Sequence, residues 1–552
     1  MKNKIFLTLI LSLVSFSNNI IAQAPDWLWS KSIGGAKTDR GEDVTADLNG
    51  NIFITGVFDS PTITFGTTTL TNAGSSDIFV VKYDSSGNVL WAKSVGGIFS
   101  EGGQAITTDS RGNVLVTGYS NSPLLNFGKI TFENESLNQY VIVLKYDANG
   151  NEVWAKKSYA GASSDMGIDI STDPTGNALV TGNFRNPSIT FDETTVFNTD
   201  NRNGTSDIFV VKYDTTGNVL WAKSYGGTSG DYSEAVSTDP SGNVLVTGHF
   251  SNTSITFGTI VFPKPSFQNA VFIVKHDSMG NVLWAKTAEA PTGSVGRDIS
   301  CDPAGNILVT GYFGGSYIAF EKTKFPVFNM HNFFVVKFKA TGEVLWIKTG
   351  EQGVTQCIST NSSGNVFISG DFSEPSLDFG KDTLTKVGDT DFFVASYDAS
   401  GKELWAKSVG GTGADFGNSI FPYSKGNLII SGNFKSPSIT LGNATLLNAG
   451  DVNMFIAKLG PAPLGTIHNL TPNQASIFPN PFSTSTTIEL NTTMNKGQLN
   501  VYNVHGQLVK QMKNLSGNTL TMNRESLSNG LYFVSISEYN NEILSNKVII
   551  ND

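Results

Sequence analysis

Apolar and polar residues alternate in a unit that recurs along most of the chain. In one copy, residues 77–91, the apolar run Ile-Phe-Val-Val leads through a polar Asp-Ser-Ser-Gly-Asn stretch to a second apolar run that ends in tryptophan. Tryptophans stand at the same place in successive copies, 59 to 67 residues apart: Trp29, Trp91, Trp154, Trp221, Trp284, Trp346 and Trp405. Such regular spacing predicts a repeat architecture in which each unit packs against its neighbours.

Each unit divides into four predicted strands, which we call a, b, c and d. Strand a ends in Thr-Asp or similar residues (105–109), and strand b is a short run closed by Thr-Gly or Ser-Gly (113–118). A longer segment, typified by residues 61–66, leads to strand c (77–83), and strand d carries the tryptophan. Strands b and c are apolar nearly throughout, which predicts that both their faces are covered. Four-stranded sheets of this kind, repeated in series, are typical of an all-β propeller, whereas a sandwich would alternate more cleanly.

Tight turns join strand a to strand b and strand c to strand d. A glycine occupies the fourth turn position in all thirteen: Gly50, Gly87, Gly112, Gly150, Gly176, Gly217, Gly242, Gly280, Gly305, Gly342, Gly364, Gly401 and Gly426. Most of these turns open with aspartate, which can bond its own backbone two residues on, while glycine accepts a positive φ. The pattern therefore predicts two antiparallel hairpins in each unit.

The strand count predicts how the repeat closes. Strands a, b and c occur seven times, but only six d strands follow a c strand, because the last one (454–459) runs directly into Gly-Pro-Ala-Pro. A spare d strand, residues 27–34, lies near the start of the chain. We therefore predict a seven-bladed β-propeller over residues 23–459 in which the N-terminal strand completes the last blade and leaves no open sheet edge.

The first residues indicate the compartment. A basic start at Lys2 and Lys4, an apolar run over 5–16 and a small residue at Ala22 are typical of a secretory signal peptide, which we assign to residues 1–22. No later apolar run approaches the length of a transmembrane helix. The net charge of −10 disfavours nucleic acid and anionic membranes as partners.

The two cysteines, Cys301 and Cys357, fall on predicted a strands of adjacent blades. Their offset of about three positions, roughly 10 Å along the strands, exceeds the reach of a disulfide. The sequence favours two free thiols, and a disulfide would need a shift of register.

The repeat resembles a known family. The pattern Thr-Asp-x-x-Gly-Asn-Val-Leu-Val-Thr-Gly, followed by Asp-Ile-Phe-Val-Val-Lys-Tyr and Leu-Trp-Ala-Lys-Ser-x-Gly-Gly, is similar to the bacterial β-propeller repeat called SBBP. The resemblance covers about residues 27–459 and implies a secreted or surface protein. Units six and seven depart from it, with Asn361 in place of the turn aspartate and Pro-Tyr-Ser-Lys at 422–425.

The composition changes after residue 459. Residues 460–475 have the Pro and Asn content of a linker, and residues 476–552 begin a module for which we predict a small β-sandwich. Its predicted strands are 486–490, 498–502, 507–509, 532–536 and 547–550.

This module resembles the type A C-terminal sorting domain of the type IX secretion system. The matching residues include Pro479, Asn480, Pro481, Gly506, Gly530, Tyr532 and Lys547. The resemblance implies recognition by the secretion machinery, export across the outer membrane, and removal of the tail with anchoring to the surface or release.

The sequence contains no convincing catalytic or metal motif. The Asp-Leu-Asn-Gly-Asn stretch at 47–51 faintly resembles a calcium loop but lacks a distal carboxylate, so a hairpin turn is favoured. The five histidines are scattered without a partner at zinc-ligand spacing. Three polar residues on predicted a strands, Asp231, Glu234 and Arg297, are candidates for an enzyme site, but they form no convergent set. The repeated tryptophans favour packing over sugar stacking.

Ligand-binding residues are expected at the variable b–c and d–a connections, opposite the uniform turns. The most individual of these loops supply Arg202, Lys264, Phe267, Lys324, Phe325 and His331. Unselected loop variation would explain the same residues. The favoured function is a secreted binding or adhesion module for a glycan or protein. A propeller hydrolase or lyase and a structural envelope component are the alternatives, and we predict no cofactor or metal.

Overall fold

The computed structural model describes residues 25–161, 163–200, 204–263, 268–321, 323–327, 331–423, 426–461, 475–503, 507–538 and 541–552. The predicted signal peptide lies outside these ranges. Contacts divide the chain into two compact units, Met1–Pro461 and Ala462–Asp552.

The first unit consists of repeated antiparallel sheets in which strands are ordered a–b–c–d. The a strands are β2 (Asp39–Ala46), β8 (Glu101–Thr108), β14 (Asp165–Thr172), β20 (Asp231–Thr238), β26 (Ser294–Cys301), β32 (Gly353–Thr360) and β38 (Asp415–Tyr423). The b strands are β3 (Ile52–Phe58), β9 (Val114–Ser120), β15 (Ala178–Phe184), β21 (Val244–Phe250), β27 (Ile307–Gly314), β33 (Val366–Phe372) and β39 (Asn427–Phe434). The c strands are β6 (Asp77–Tyr83), β12 (Tyr140–Tyr146), β18 (Asp207–Tyr213), β24 (Ala270–His276), β30 (His331–Phe338), β36 (Asp391–Tyr397) and β42 (Asn453–Gly460). The d strands are β1 (Asp26–Ile33), β7 (Val89–Val95), β13 (Glu152–Ala160), β19 (Val219–Tyr225), β25 (Val282–Glu289), β31 (Val344–Glu351) and β37 (Glu403–Val409).

The apolar pattern of the middle strands agrees with their burial. Every residue of β3 and of β6 is buried, because neighbouring sheets cover both faces. The predicted turn chemistry is confirmed, since all thirteen turn glycines have positive φ, between 76° and 92°. At Asp47, Oδ1 accepts hydrogen bonds from the backbone N–H groups of Asn49 and Asn51, both at 2.9 Å. The architecture is therefore all-β and propeller-like.

Each b–c connection contains a two-stranded hairpin that the sequence reading left unassigned. The hairpins are β4 (Thr62–Phe65) with β5 (Thr68–Thr71), β10 (Leu124–Phe127) with β11 (Ile130–Glu133), β16 (Ser188–Phe191) with β17 (Thr194–Phe197), β22 (Ser254–Phe257) with β23 (Ile260–Pro263), β28 (Tyr317–Phe320) with β29 (Thr323–Pro326), β34 (Ser376–Phe379) with β35 (Asp382–Thr385), and β40 (Ser438–Leu441) with β41 (Ala444–Leu447). In β4 the side chains of Ile63 and Phe65 are buried and those of the two threonines are exposed. This period-2 pattern was present in the sequence, but it is only four residues long.

Two of these hairpins extend the preceding sheet to six strands. β16 pairs with β13, and β28 pairs with β25. Both d strands reach the positions where four units have Gly-Gly, since residues 159–160 are Tyr-Ala and residues 289–290 are Glu-Ala. Unit five also lacks Gly-Gly, and its d strand β31 runs to Glu351 without pairing with the next hairpin, so the loss of Gly-Gly permits the new pairing but does not require it.

The N-terminal strand belongs to the same sheet as the last c strand. β1 pairs antiparallel with β42, from Asp26 opposite Gly460 to Ile33 opposite Met454. The a strands contact one another in the order β2, β8, β14, β20, β26, β32 and β38, and β38 also contacts β2.

A tryptophan and a lysine connect each of units one to five to the next one. In unit four, Trp284 Nε1 and Lys275 Nζ both donate to the backbone oxygen of Ala340, in the c–d turn of unit five, at 3.1 and 3.3 Å. The indole also packs on the turn glycine, because a Cβ on Gly342 would lie 3.2 Å from the Trp284 ring. The repeated tryptophan therefore packs between units.

The C-terminal unit is a single five-stranded sheet. Its strands are β43 (Ala475–Phe478), β44 (Ser485–Tyr502), β45 (Leu508–Asn523), β46 (Gly530–Glu538) and β47 (Asn541–Ile550), in the order β43-β44-β46-β47 with β45 paired to β44. The prediction of a small sandwich therefore differs from the structure, in which all five strands belong to one sheet. Register shifts within the long β44–β45 pair let Ile488 at one end and Val534 near the other bury in the same core. The sequence predicted several short strands here instead of two long ones, because the alternation of apolar and polar residues is interrupted where the register shifts.

Candidate functional site

The a strands line a cavity, which we call the axial cavity, that opens differently at its two ends. At the end with the tight turns, which we call the turn end, the opening has a volume of about 480 Å³ and is lined by residues of all seven units. Its wall repeats: the hydroxyl of Thr172 donates to the Thr108 backbone oxygen at 3.0 Å, and that of Thr238 donates to the Thr172 oxygen at 2.9 Å. This position of the turn end holds threonine in four units, and Ala46, Cys301 and Pro422 occupy it in the others.

Half-buried carboxylates line the middle of the axial cavity. Asp43, Asp169 and Asp298 lie in units one, three and five, and each accepts a hydrogen bond from a backbone N–H of the next unit, at 2.7 to 2.8 Å. Burial raises the pKa of Asp43 to about 6 and that of Asp298 to about 7, and it raises the pKa of Asp169 as well. These carboxylates connect adjacent a strands, and their hydrogen bonds leave them no free role in chemistry.

Each a strand carries a β-bulge just before these positions. The bulged residue points into the cavity and differs among units: Glu42, Gln104, Ile168, Glu234, Arg297, Gln356 and Asn418. The residue after the conserved-position glycine of strand b differs as well: Val57, Tyr119, Asn183, His249, Tyr312, Asp371 and Asn433. Bulges commonly re-aim side chains near functional sites. The repeat is therefore broken at the opposite end of the cavity, which we call the loop end.

Units four and five bring four of these irregular side chains together with Tyr232 of strand a. Arg297 Nη1 lies 3.0 Å from Glu234 Oε2, and His249 Nδ1 lies 3.4 Å from Glu234 Oε1. The rings of Tyr232 and His249 stack with centroids 5.2 Å apart, and the Arg297 guanidinium lies 5.5 Å from the centre of the Tyr312 ring. We call Tyr232, Glu234, His249, Arg297 and Tyr312 the loop-end cluster.

Two pockets adjoin this cluster. Tyr312 lines one of about 360 Å³, Asp371 lines one of about 460 Å³, and Val354 and His331 line both. Asp371 Oδ1 accepts a hydrogen bond of 3.1 Å from Gln356 Nε2. Burial raises the pKa of Asp371, although this hydrogen bond and Arg297 oppose the change. Tyr312 therefore links the cluster to the first of these pockets, whereas Glu234 and Arg297 line the axial cavity itself.

The predicted loop residues have different positions. Arg202, Lys264 and Phe267 lie outside the described residues. Lys324 and Phe325 are on β29, where the Lys324 ammonium lies 4.1 Å from the centre of the Tyr317 ring and Phe325 packs against the core. His331 alone among the described residues of this set lines the loop-end pockets.

The three enzyme candidates do not stay together. Glu234 and Arg297 meet in the loop-end cluster, whereas Asp231 is buried and binds the side-chain amide of Asn252. The sequence reading missed His249, Tyr232 and Tyr312. Their departure from the repeat is visible in the sequence. It points to a site only when the position of the bulge is known, because the bulge determines which residues face the cavity.

The remaining sequence candidates are structural. Both cysteines are free, and the Cys357 sulfur accepts a hydrogen bond from the Ile420 backbone N–H at 3.5 Å. In the 47–51 turn, both carboxylate oxygens of Asp47 bind Asn51, at 2.9 and 2.7 Å. Within the described ranges, no three His, Cys, Asp or Glu side chains are placed to hold a metal ion. Nor do those ranges include a helix of the length and apolar character needed to cross a membrane.

The motif residues of the C-terminal unit mostly support its fold. Asn480 acts as a strand partner for β47, since its side chain accepts from the Ile549 N–H at 2.8 Å and donates to the Lys547 oxygen at 3.0 Å. The Pro479 oxygen accepts from the hydroxyl of Thr486, and the hydroxyl of the buried Tyr532 donates to the Ser528 oxygen. Gly530 has a φ of 154°, Pro481 follows a cis bond, and Gly506 lies outside the described residues.

Comparisons with known protein families identify two segments. Residues 476–551 match the secretion system C-terminal sorting domain, and residues 103–124 match the β-propeller repeat SBBP. The sorting domain indicates secretion by the type IX system and attachment at the cell surface or outer membrane.

Relatives of the whole chain are distant. An uncharacterized WD repeat-containing protein of Acanthamoeba polyphaga mimivirus is 23% identical over 536 residues, covering 78% of this chain. This chain spans 38% of the length of that protein. The regulatory protein FlaEY of Caulobacter vibrioides is 27% identical over 166 residues, 25% of this chain and 17% of FlaEY.

Among solved structures, a fungal alcohol oxidase of the AA5 family in complex with copper aligns over 96% of this chain and 100% of its own, with 12% identity and a TM-score of 0.38. Sqt1 from Chaetomium thermophilum aligns over 79% of this chain and 99% of its own, with 9% identity and a TM-score of 0.34.

Proposed function

We propose that this chain is a secreted or surface-displayed β-propeller that binds an extracellular glycan or protein at the loop end. In this proposal residues 1–22 are a signal peptide, 23–459 the propeller, 460–475 a linker and 476–552 the sorting domain. The observation that carries the proposal is the contrast between the more regular turn end and the loop end, where the seven equivalent bulge positions hold five residue types. Binding residues usually concentrate where a rigid scaffold varies.

We further propose that the propeller has seven blades and is closed by β1. The pairing of β1 with β42 supports this, and so does the pattern of connecting lysines. Lys458 of the last unit donates to the Ser85 oxygen of the first at 2.9 Å. Unit six has Ser396 in the lysine position. Its successor has no c–d turn for a lysine to bind, because β42 ends the repeat.

The hydrolase or lyase alternative is favoured by one observation, the convergence of Glu234, His249 and Arg297. The direct ion pair of Glu234 with Arg297 argues against a freely available base at that position. Binding therefore remains the proposal that the cluster supports better.

The test uses the chain without its predicted signal peptide, residues 23–552. A glycan array, a pull-down of cell-surface proteins and a screen of glycosidase and lyase substrates are run on the same preparation. Binding without turnover supports the proposal, and turnover of a substrate favours the enzyme instead. If none of the three assays gives a signal, the result contradicts the binding proposal and favours a structural envelope component.

A further inference from the structure

We infer that the loop-end cluster is a subsite for a neutral glycan. This inference rests on the proposed binding function and makes it specific. It names the side chains, Tyr232, Glu234, His249, Arg297 and Tyr312, and the class of ligand.

The aromatic side chains provide apolar faces of the size of a sugar ring. Tyr232 is held by stacking on His249, and Tyr312 is held by the Arg297 guanidinium above it. Sugars present C–H groups on one face, and these pack favourably on aromatic rings, whose polar edges remain available for hydrogen bonds. Neither ring belongs to the repeated core, because the position of Tyr232 holds tyrosine in unit four alone and the position of Tyr312 holds tyrosine only in units two and five.

Planar polar groups lie beside these rings. Glu234, Arg297 and, in the adjoining pocket, Asp371 and Gln356 offer carboxylate, guanidinium and amide groups that can each form paired hydrogen bonds with neighbouring hydroxyls. Their positions are fixed before a ligand arrives: Glu234 is bound to Arg297 at 3.0 Å, and Asp371 is bound to Gln356 at 3.1 Å. Such preorganisation lowers the entropic cost of binding.

The charge of the site favours a neutral ligand. Arg297 is the cation of the cluster, and Glu234 balances its charge. The nearby Asp371 adds a carboxyl group, and the protein as a whole carries a net charge of −10. An acidic polysaccharide would meet repulsion without an unpaired cation to bind it.

The dimensions of the site fit a short stretch of sugar. Within the cluster, Tyr312 lines a pocket of about 360 Å³, and Glu234 and Arg297 line a separate space of about 140 Å³. Pockets of roughly 300–1,000 Å³ are typical for small ligands, whereas protein interfaces are wider and flatter. A concave site with separate pockets thus favours a glycan over a folded protein.

The test is affinity electrophoresis of the chain without its predicted signal peptide, residues 23–552, in gels that contain dextran, mannan, laminarin or polygalacturonate. Tyr312→Ala removes a ring, and Arg297→Gln keeps the size of the side chain while removing its charge. Leu48→Ala is the matched control, since Leu48 lines the turn end and is 89% exposed. Melting temperatures establish that each variant is folded.

We expect at least one neutral polysaccharide to retard the wild type. The dissociation constant should rise at least about tenfold in Tyr312→Ala and Arg297→Gln and stay unchanged in Leu48→Ala. Equal binding by all four proteins would overturn the site while leaving the proposed binding function intact. Retardation by polygalacturonate alone, or loss of a protein partner rather than a polysaccharide in Tyr312→Ala, would overturn the ligand class. A wild type that binds no polysaccharide and no protein contradicts the proposed function itself.

Discussion

The two ends of the axial cavity are made by the same seven strands but have opposite characters. At the turn end, threonines recur, and the opening of about 480 Å³ is larger than either of the two loop-end pockets. At the loop end, the bulged residues and their neighbours differ from unit to unit, and five of them converge. Cavity size alone would select the turn end. The loss of repetition selects the loop end, because packing requires the same residue in every unit and ligand recognition does not.

The turn end also holds the contacts that join the units. A buried Asp–Lys pair lies beneath the turn in units two to five, with N–O distances of 2.8 to 3.2 Å. Its lysine and the tryptophan of strand d reach the next turn. In unit six, Asn361 and Ser396 replace both members of the pair together. Joint replacement is expected physically, because one buried charge left alone is costly.

The largest expected effect concerns the strand that completes this arrangement. Deleting residues 23–36 removes β1 and with it Trp29, whose ring would lie 3.2 Å from a Cβ on Gly87. It also exposes the edge of β42 and removes the contacts that the buried side chain of Ile33 makes. Burying one large apolar side chain contributes about 1.5–3 kcal/mol, so we expect a loss of several kcal/mol. Calorimetry measures it, with deletion of residues 23–25 as the control, and an unchanged melting temperature would refute closure.

The next effect breaks one connection at the turn end. Lys275→Ala leaves Asp239 buried without its partner; in the wild type the two are 2.8 Å apart, with side chains 4% and 5% exposed. We expect a destabilisation of about 3–5 kcal/mol. The double variant Asp239→Asn with Lys275→Ser imitates unit six and should lose clearly less. Denaturant midpoints test this, and equal losses in both variants would argue against the pair.

The dependence of stability on pH distinguishes carboxyl groups whose pKa is raised by folding from those whose pKa is lowered. The axial carboxyls of Asp43 and Asp298 have pKa values raised to about 6 and 7, so the folded state binds more protons than the unfolded state above about pH 4. Stability should therefore rise as the pH falls from 8 to about 5.

Below about pH 4 the trend should reverse. Burial alone would raise the pKa of Asp173, but hydrogen bonds from Thr175, Lys212 and Asn177 lower it to about 2. Its contribution is present above pH 4 and is lost as the pH falls toward 2. Melting temperatures from pH 2 to 8 check both limbs. Asp298→Asn should flatten the limb between pH 5 and 8, and a full slope in that variant would contradict the assignment.

The smallest effect on stability is expected at the loop end. Arg297 is one-third exposed, and its ion pair with Glu234 is partly solvated, so Arg297→Gln should change the unfolding free energy by about 1 kcal/mol or less. Chemical denaturation beside Lys275→Ala measures the difference. A loss as large as that of Lys275→Ala would assign the cluster a structural role.

How far the sequence predicted this molecule differs between the two ends. The turn chemistry and the repeated strands followed from local rules, because Asp and Gly at fixed turn positions act within a few residues. The hairpins such as β4–β5 were missed because four residues carry too little periodicity. The loop-end cluster was also missed: Arg297 lies 63 residues beyond Glu234, and only the bulge and the packing of units place them together.

The account depends on a division of roles between the two ends, and one paired measurement tests it most directly. Guanidinium midpoint and polysaccharide affinity are measured on the wild type, Lys275→Ala and Tyr312→Ala. We predict that Lys275→Ala lowers the midpoint while the folded protein keeps its affinity, and that Tyr312→Ala keeps the midpoint nearly unchanged while losing affinity. Parallel losses of stability and affinity in both variants would contradict the division.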